Sequence, residues 1–206
     1  MKVLILSLFV FMITLVSCNT DYNYIDSGLS NGVHDCTMYD YFKTNSYNWD
    51  TTRLMIDKAG LADLFKGEGG YDKIMFFGPT NHTIRKWMYD NEYKCVVDIP
   101  ENVCREMILR HVVAKPLLRM EVPLGSNNAS VGSGREGGIE LTGLGGNKMW
   151  LYAVQEPYYG VAGAGSRSLY LESLDYQKNI PLASIDIQTT TGVVHSLHYS
   201  YNFGWL

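Results

Sequence analysis

Gly192-Val193-Val194-His195-Ser196-Leu197-His198-Tyr199-Ser200-Tyr201-Asn202-Phe203 reads as a strand. Val193, His195, Leu197, Tyr199, Tyr201 and Phe203 share one face; Val194, Ser196, His198, Ser200 and Asn202 share the other. Period-two alternation over this length predicts one buried face and one mostly wetted face. Moving back along the chain, Lys148–Val154 and Leu169–Ser173 also read as strands, and the glycine-rich Gly160–Gly165 connects them. Residues 125–146 hold eight glycines in 22 positions, the composition of loops and tight turns.

The half before that is helical in pattern. Asp50 or Thr51 can cap a helix carrying Leu54, Ile56 and Ala59, with Gly60 as its stop. Leu61, Leu64 and Phe65 form a second short turn ended by Gly67, Gly69 and Gly70, and Lys73–Phe77 reads as a strand. Pro79-Thr80-Asn81 opens a helix with Ile84, Trp87 and Met88 on one face. Pro100 and Glu101 start another, bearing Val103, Met107 and Ile108. No repeat is present, so one copy of one domain is expected.

The N-terminus carries one charge, Lys2, then an apolar run from Val3 to Val16 and the sequence Leu15-Val16-Ser17-Cys18. That order is a secretory signal, and the run is too short for a bilayer span of about 20 residues. A Cys directly after Leu-x-Ser resembles the lipobox of bacterial lipoproteins. The resemblance implies cleavage before Cys18, acylation of that cysteine, and a membrane held through its lipid anchor. Asn19 in place of Asp points to the outer membrane of a Gram-negative bacterium, and Asp21 and Asp26 resemble surface-export signals. A plain cleaved signal and an uncleaved anchor are the alternatives. The organisation expected is a signal peptide over 1–17, a lipidated tether over 18–37 and a domain over 38–206.

Without its first 17 residues the chain's net charge of −4 becomes −5, because Lys2 is the only charge lost. An acidic chain with scattered Lys and Arg lacks the basic face that nucleic acid requires. Fifteen Tyr and four Trp suit both β-packing and a recognition surface. Besides Cys18 there are Cys36, Cys95 and Cys104, which allow one disulfide and one free thiol; Cys95 and Cys104 flank a short Ile-Pro turn and could meet.

Catalytic patterns are sparse. His195 and His198 stand three apart on the reading above, so they face opposite sides of a strand and cannot chelate together. No His-Glu-x-x-His, calcium loop or Cys-x-x-Cys occurs, and neither Ser133 nor Ser166 sits in Gly-x-Ser-x-Gly. We expect no catalytic residue, no metal and no cofactor.

Three segments fall in a recognisable order: Met75-Phe76-Phe77-Gly78-Pro79-Thr80-Asn81, Ile108-Leu109-Arg110-His111-Val112-Val113, and Ile185-Asp186-Ile187-Gln188-Thr189-Thr190-Thr191-Gly192-Val193-Val194-His195. Together they resemble the fasciclin domain, over about Met38 to Trp205. The resemblance implies an α+β fold, a wedge-shaped β-sandwich with surrounding helices, and an extracellular adhesion or binding role without a common catalytic centre. Three positions depart from the family pattern: Arg110 replaces the Tyr of a Tyr-His pair, Thr191 replaces an Asn, and Leu197-His198 replaces an aliphatic-Asp pair. The motif residues Pro79, Thr80, Asn81, His111, Asp186, Gly192 and His195 have structural work available to them: helix entry, amide capping, a special turn and a core hydrogen bond.

The expected function is therefore a non-catalytic module that recognises a glycan, a peptide or a surface protein. Trp150, Gln155, Tyr158 and Tyr159 are the candidate contact residues, with Pro157-Tyr158-Tyr159-Gly160 as the exposed piece. The alternative is an accessory subunit docked on an outer-membrane nutrient transporter, an expectation by analogy.

Overall fold

The computed structural model describes residues 31–128 and 134–206. The signal segment, Cys18, the tether through Ser30, and Ser133 lie outside the described residues. Gly32–Leu206 form one compact α+β unit. It starts ahead of the Met38 boundary read from sequence because Gly32–Cys36 run beside the sheet. There the Gln188 N–H donates to the Gly32 carbonyl, the His34 N–H to Gln188, and the Thr190 N–H to Cys36.

Helices α1 (Met38–Thr44), α2 (Ser46–Lys58) and α3 (Ala62–Lys66) come first. Thr37 caps α1 by accepting from the Asp40 N–H at 3.1 Å. α2 starts at Ser46 rather than at the expected Asp50 or Thr51, since Asn45 alone separates it from α1. Gly67, at φ 85°, closes α3 in the left-handed conformation that glycine adopts without steric cost. The helices bury Phe42, Trp49 and Phe65 with Phe76 of the first strand; Phe65 meets Phe76 edge-on at 5.0 Å.

That strand, β1 (Ile74–Gly78), leads through Pro79-Thr80 into α4 (Asn81–Asp90), followed by α5 (Glu101–Arg110) and the short β2 (Val112–Val113). Two late strands, β9 (Ile187–Thr189) and β10 (Gly192–Ser196), complete a four-stranded sheet in the order β2-β1-β10-β9. β1 and β10 are parallel, in register from Ile74↔Gly192 to Gly78↔Ser196. Every residue of both is buried, as suits central strands covered on both faces.

The last strand therefore has no wetted face, and it is shorter than its alternation predicts. It ends at Ser196; Leu197 makes a single bridge to Leu182, and the chain turns, with the Tyr201 N–H on the His198 carbonyl. Tyr201 and Phe203 reach the core from this turn. Phe203 lies 5.2 Å from His111 and 5.4 Å from Trp87, ring centre to ring centre. A turn that returns alternate side chains to the core mimics strand periodicity.

The second sheet is an antiparallel meander of β5 (Ile139–Thr142), β6 (Lys148–Gln155), β7 (Arg167–Ser173) and β8 (Lys178–Pro181). Its inner face of Met149, Leu151, Ala153, Leu169, Leu171 and Ile180 joins the same core as the first sheet. The glycine-rich stretch is less loop-like than its composition suggests. It contains the hairpin β3 (Gly125–Asn128) and β4 (Gly134–Gly137), as well as β5. Arg135 pins the hairpin to the meander through the buried Glu172 carboxylate, which also accepts from Asn127 at 2.8 Å.

Cys36, Cys95 and Cys104 are free thiols, so the pairing of Cys95 with Cys104 is not made. Cys95 is exposed with its Sγ on Asp98, whereas Cys104 is buried in α5 and desolvation pushes its thiol up to about 11.

Candidate functional site

The contact residues expected from sequence separate into two pairs. Trp150 is buried: its indole N–H donates to the Gly137 carbonyl at 3.1 Å and its ring stacks on Tyr152 at 4.2 Å. Gln155 spends its amide on the Gly163 and Gly165 carbonyls, closing its own loop. The Trp150 indole N–H and the Gln155 amide N–H groups are thus engaged within the fold. Tyr158 and Tyr159 do face solvent, at 60% and 91% exposure, on a tight turn where Tyr158 and Val161 exchange backbone hydrogen bonds.

The motif residues build the scaffold. The Pro79 carbonyl accepts from the Thr52 hydroxyl at 2.6 Å. Thr80 occupies the N-cap position of α4, where its side chain makes no capping bond. Asn81 reaches across to α2: its Oδ1 accepts from the Thr51 N–H at 2.6 Å, and its amide donates to the Ser46 and Tyr47 carbonyls. Thr191 accepts from the Met38 N–H and donates to the Phe65 carbonyl, tying the start of α1 to the end of α3.

Two buried imidazoles hold the far side. His111 Nδ1 lies 2.6 Å from the Met107 carbonyl and Nε2 lies 2.9 Å from the Tyr201 hydroxyl. A carbonyl can only accept, so Nδ1 carries the proton and the Tyr201 hydroxyl donates to Nε2. His195 uses the opposite tautomer. Its Nε2–H faces the Leu117 carbonyl at 2.9 Å, while Nδ1 accepts from the Asp186 N–H. Asp186 sits at φ 61° and its carboxylate accepts from the Arg119 N–H at 2.7 Å. His195 and Asp186 thus fasten the connection after β2 onto the first sheet. Burial pushes both imidazoles down, His111 to about 4.

Three chain segments meet where β1 and β10 end. Asn81 draws the first turn of α2 against the start of α4. The Leu197 N–H donates to the Gly78 carbonyl at 2.8 Å, setting the turn after β10 beside the same helix. Between them lies an open groove of about 730 Å³, walled by Tyr47, Asn48, His82, Arg85, His198 and Tyr199. Tyr47 is 93% exposed and Tyr199 66%. The Tyr199 ring lies 4.1 Å from His198 and 6.5 Å from His82. A second hollow, of about 810 Å³, continues along α4 and includes Arg85, Tyr89, Tyr93 and Lys94. Arg85 lines both and makes no ion pair or side-chain hydrogen bond among the described residues.

Exposed tyrosine rings offer faces for stacking, and the amide, imidazole and guanidinium groups offer hydrogen bonds. Among the described residues no three His, Cys, Asp or Glu side chains are grouped to hold a metal ion. Sequence reasoning did not find this groove, because its walls come from residues 46–50, 80–85 and 196–199. Tyr47 did carry a signal: it is an aromatic at a helical position flanked by the polar Ser46 and Asn48.

Neither a protein-family model nor a characterised protein matches this sequence. Among solved structures, the chain is similar to a FAS1 domain pair from the insect cell adhesion molecule fasciclin I. The TM-score is 0.48 with 13% sequence identity, covering 75% of this chain and 44% of that one. The chain spans less than half the length of that structure.

Proposed function

We propose that this chain is a non-catalytic binding module that recognises a glycan, a peptide or a surface protein. Cys18 carries the lipid that holds it on the outer membrane of a Gram-negative bacterium, with the domain outward. The groove beside α4 is the observation behind the binding role: concave, rimmed by exposed Tyr47 and Tyr199, and furnished with Asn48, His82 and Arg85, whose side chains make no hydrogen bond among the described residues. The anchor rests on the charge, apolar run and cysteine of the first 18 residues.

A second reading draws on the Tyr158-Tyr159 turn, whose neighbour Val161 is also exposed. Three exposed apolar bodies on one turn suit permanent docking on a membrane transporter. A detergent pull-down of the full chain distinguishes the two. The binding-module reading expects the chain to elute without a stoichiometric membrane partner, and Cys18→Ala to move it into the soluble fraction. A stoichiometric transporter, lost in the Tyr158→Ala/Tyr159→Ala variant, would establish the docked subunit instead. Retention of Cys18→Ala in the membrane would remove the lipid anchor from the account.

A further inference from the structure

Resting on the binding-module reading, we infer that the groove along α4 takes an acidic oligosaccharide, with a ring carboxylate received by Arg85 and neighbouring sugar rings laid on Tyr47, Tyr199 and Tyr89.

The chemistry of the lining favours sugars. Pyranose rings present C–H faces, which stack on aromatic rings, and edges of hydroxyls, which pair with planar polar groups. Tyr47, Tyr89 and Tyr199 are 93%, 84% and 66% exposed, so their faces are not used up in the core. Asn48, His82 and His198 supply the planar polar groups between them. The backbone at the groove floor is already paired, with the Ala183 N–H on Ser196 and the Ser196 N–H on Ser184. An extended peptide would find no free strand edge there to join.

Shape points the same way. The two hollows share Arg85 and follow the ten-residue α4, which is about 15 Å long at 1.5 Å per residue. That is a track for several rings in a row. Charge then selects the class of sugar. Asp90 is held by Lys86 at 2.6 Å, and Arg53 bridges Asp50 at 2.9 Å and Asp57 at 2.8 Å, so both carboxylates of the lining are already engaged within the fold. At the far end Glu92 and Lys94 contribute one charge of each sign. Among the described residues the Arg85 guanidinium makes no ion pair or side-chain hydrogen bond, so its donors stay open at the centre of the track. A guanidinium receives a carboxylate through two parallel hydrogen bonds.

The test is titration of the full chain in detergent with tetragalacturonate and with its carboxyl-reduced neutral form. Binding of the acidic tetramer, at least about tenfold weaker in Arg85→Ala, partly restored in Arg85→Lys and much weaker in Tyr47→Ala/Tyr199→Ala, is the expected result. Arg85 is exposed and makes no ion pair or side-chain hydrogen bond among the described residues, so Arg85→Ala should keep the wild-type thermal midpoint. Equal binding of both forms, insensitive to Arg85→Ala but lost in the tyrosine variant, would overturn the acidic class and leave the binding groove standing. Failure of both sugars, together with capture of a peptide from an array that the tyrosine variant loses, would overturn the glycan assignment. Failure of sugars and peptides alike would overturn the groove and the function proposed above together. Binding at high sugar concentration that no groove variant changes would overturn the assignment as well.

Discussion

Acidifying the protein from pH 7 to pH 4 is expected to cost it about 3 kcal/mol of stability through His111 alone. Burial holds the folded-state value at about 4, while an unfolded imidazole titrates near 6.5. Between those values the unfolded chain binds the extra proton and the folded chain refuses it. Stability is therefore full above pH 6.5 and falls as pH drops towards 4. The Met107 carbonyl opposes the shift and Arg110 adds to it, but desolvation is the largest cause. His195 moves in the same direction for the same reason and steepens the loss. Urea titrations at pH 7, 6 and 5 check this, because few carboxylates titrate in that window. The wild type should lose stability steadily across it. His111→Asn should start lower and show a shallower slope. Equal slopes would place the titration elsewhere.

Gly192→Ala is expected to cost at least about 4 kcal/mol, a loss that few single substitutions reach. Gly192 sits at φ 146°, and an added Cβ would lie 1.9 Å from the Ile74 carbonyl oxygen. Both atoms belong to the backbone of the parallel β1–β10 pair, so no side chain can move to relieve the overlap. Gly204→Ala is the comparison. Gly204 is also at positive φ, 118°, but its nearest obstacle is the flexible tip of Met107 at 3.7 Å. Backbone strain alone should cost that variant about 1–3 kcal/mol. Chemical denaturation of the two variants separates strain from collision. Similar losses in both would mean that the parallel pair adjusts.

Residue patterns announced the parts of the fold that rest on local physics. Ile74–Phe77 is an uninterrupted apolar run and became a central strand; Gly67 and Pro79 bounded helices where their backbone preferences demand. The readings that missed share a cause. Alternation through Tyr199, Tyr201 and Phe203 looked like a strand, but Tyr201 and Phe203 are buried because a turn folds back under α4 and α5, and Tyr199 stays exposed. Eight glycines hid three short strands, because a glycine at positive φ can turn a chain between strands as readily as it can loosen one. Trp150 looked like a contact residue by type alone, and only the β6 register turns its indole onto Gly137. The groove was the least legible feature. Its defining step is an asparagine at the start of one helix bonding into the first turn of another, and the sequence around Asn81 does not say which chain segment will be there.

The central claim is that recognition happens beside α4. The most direct measurement places the photo-reactive residue p-benzoylphenylalanine at position 47, 199 or 159 of the full chain and irradiates intact cells. The account predicts adducts from positions 47 and 199 and none from 159. Adducts from position 159 alone would contradict it and move the contact surface to the Tyr158-Tyr159 turn.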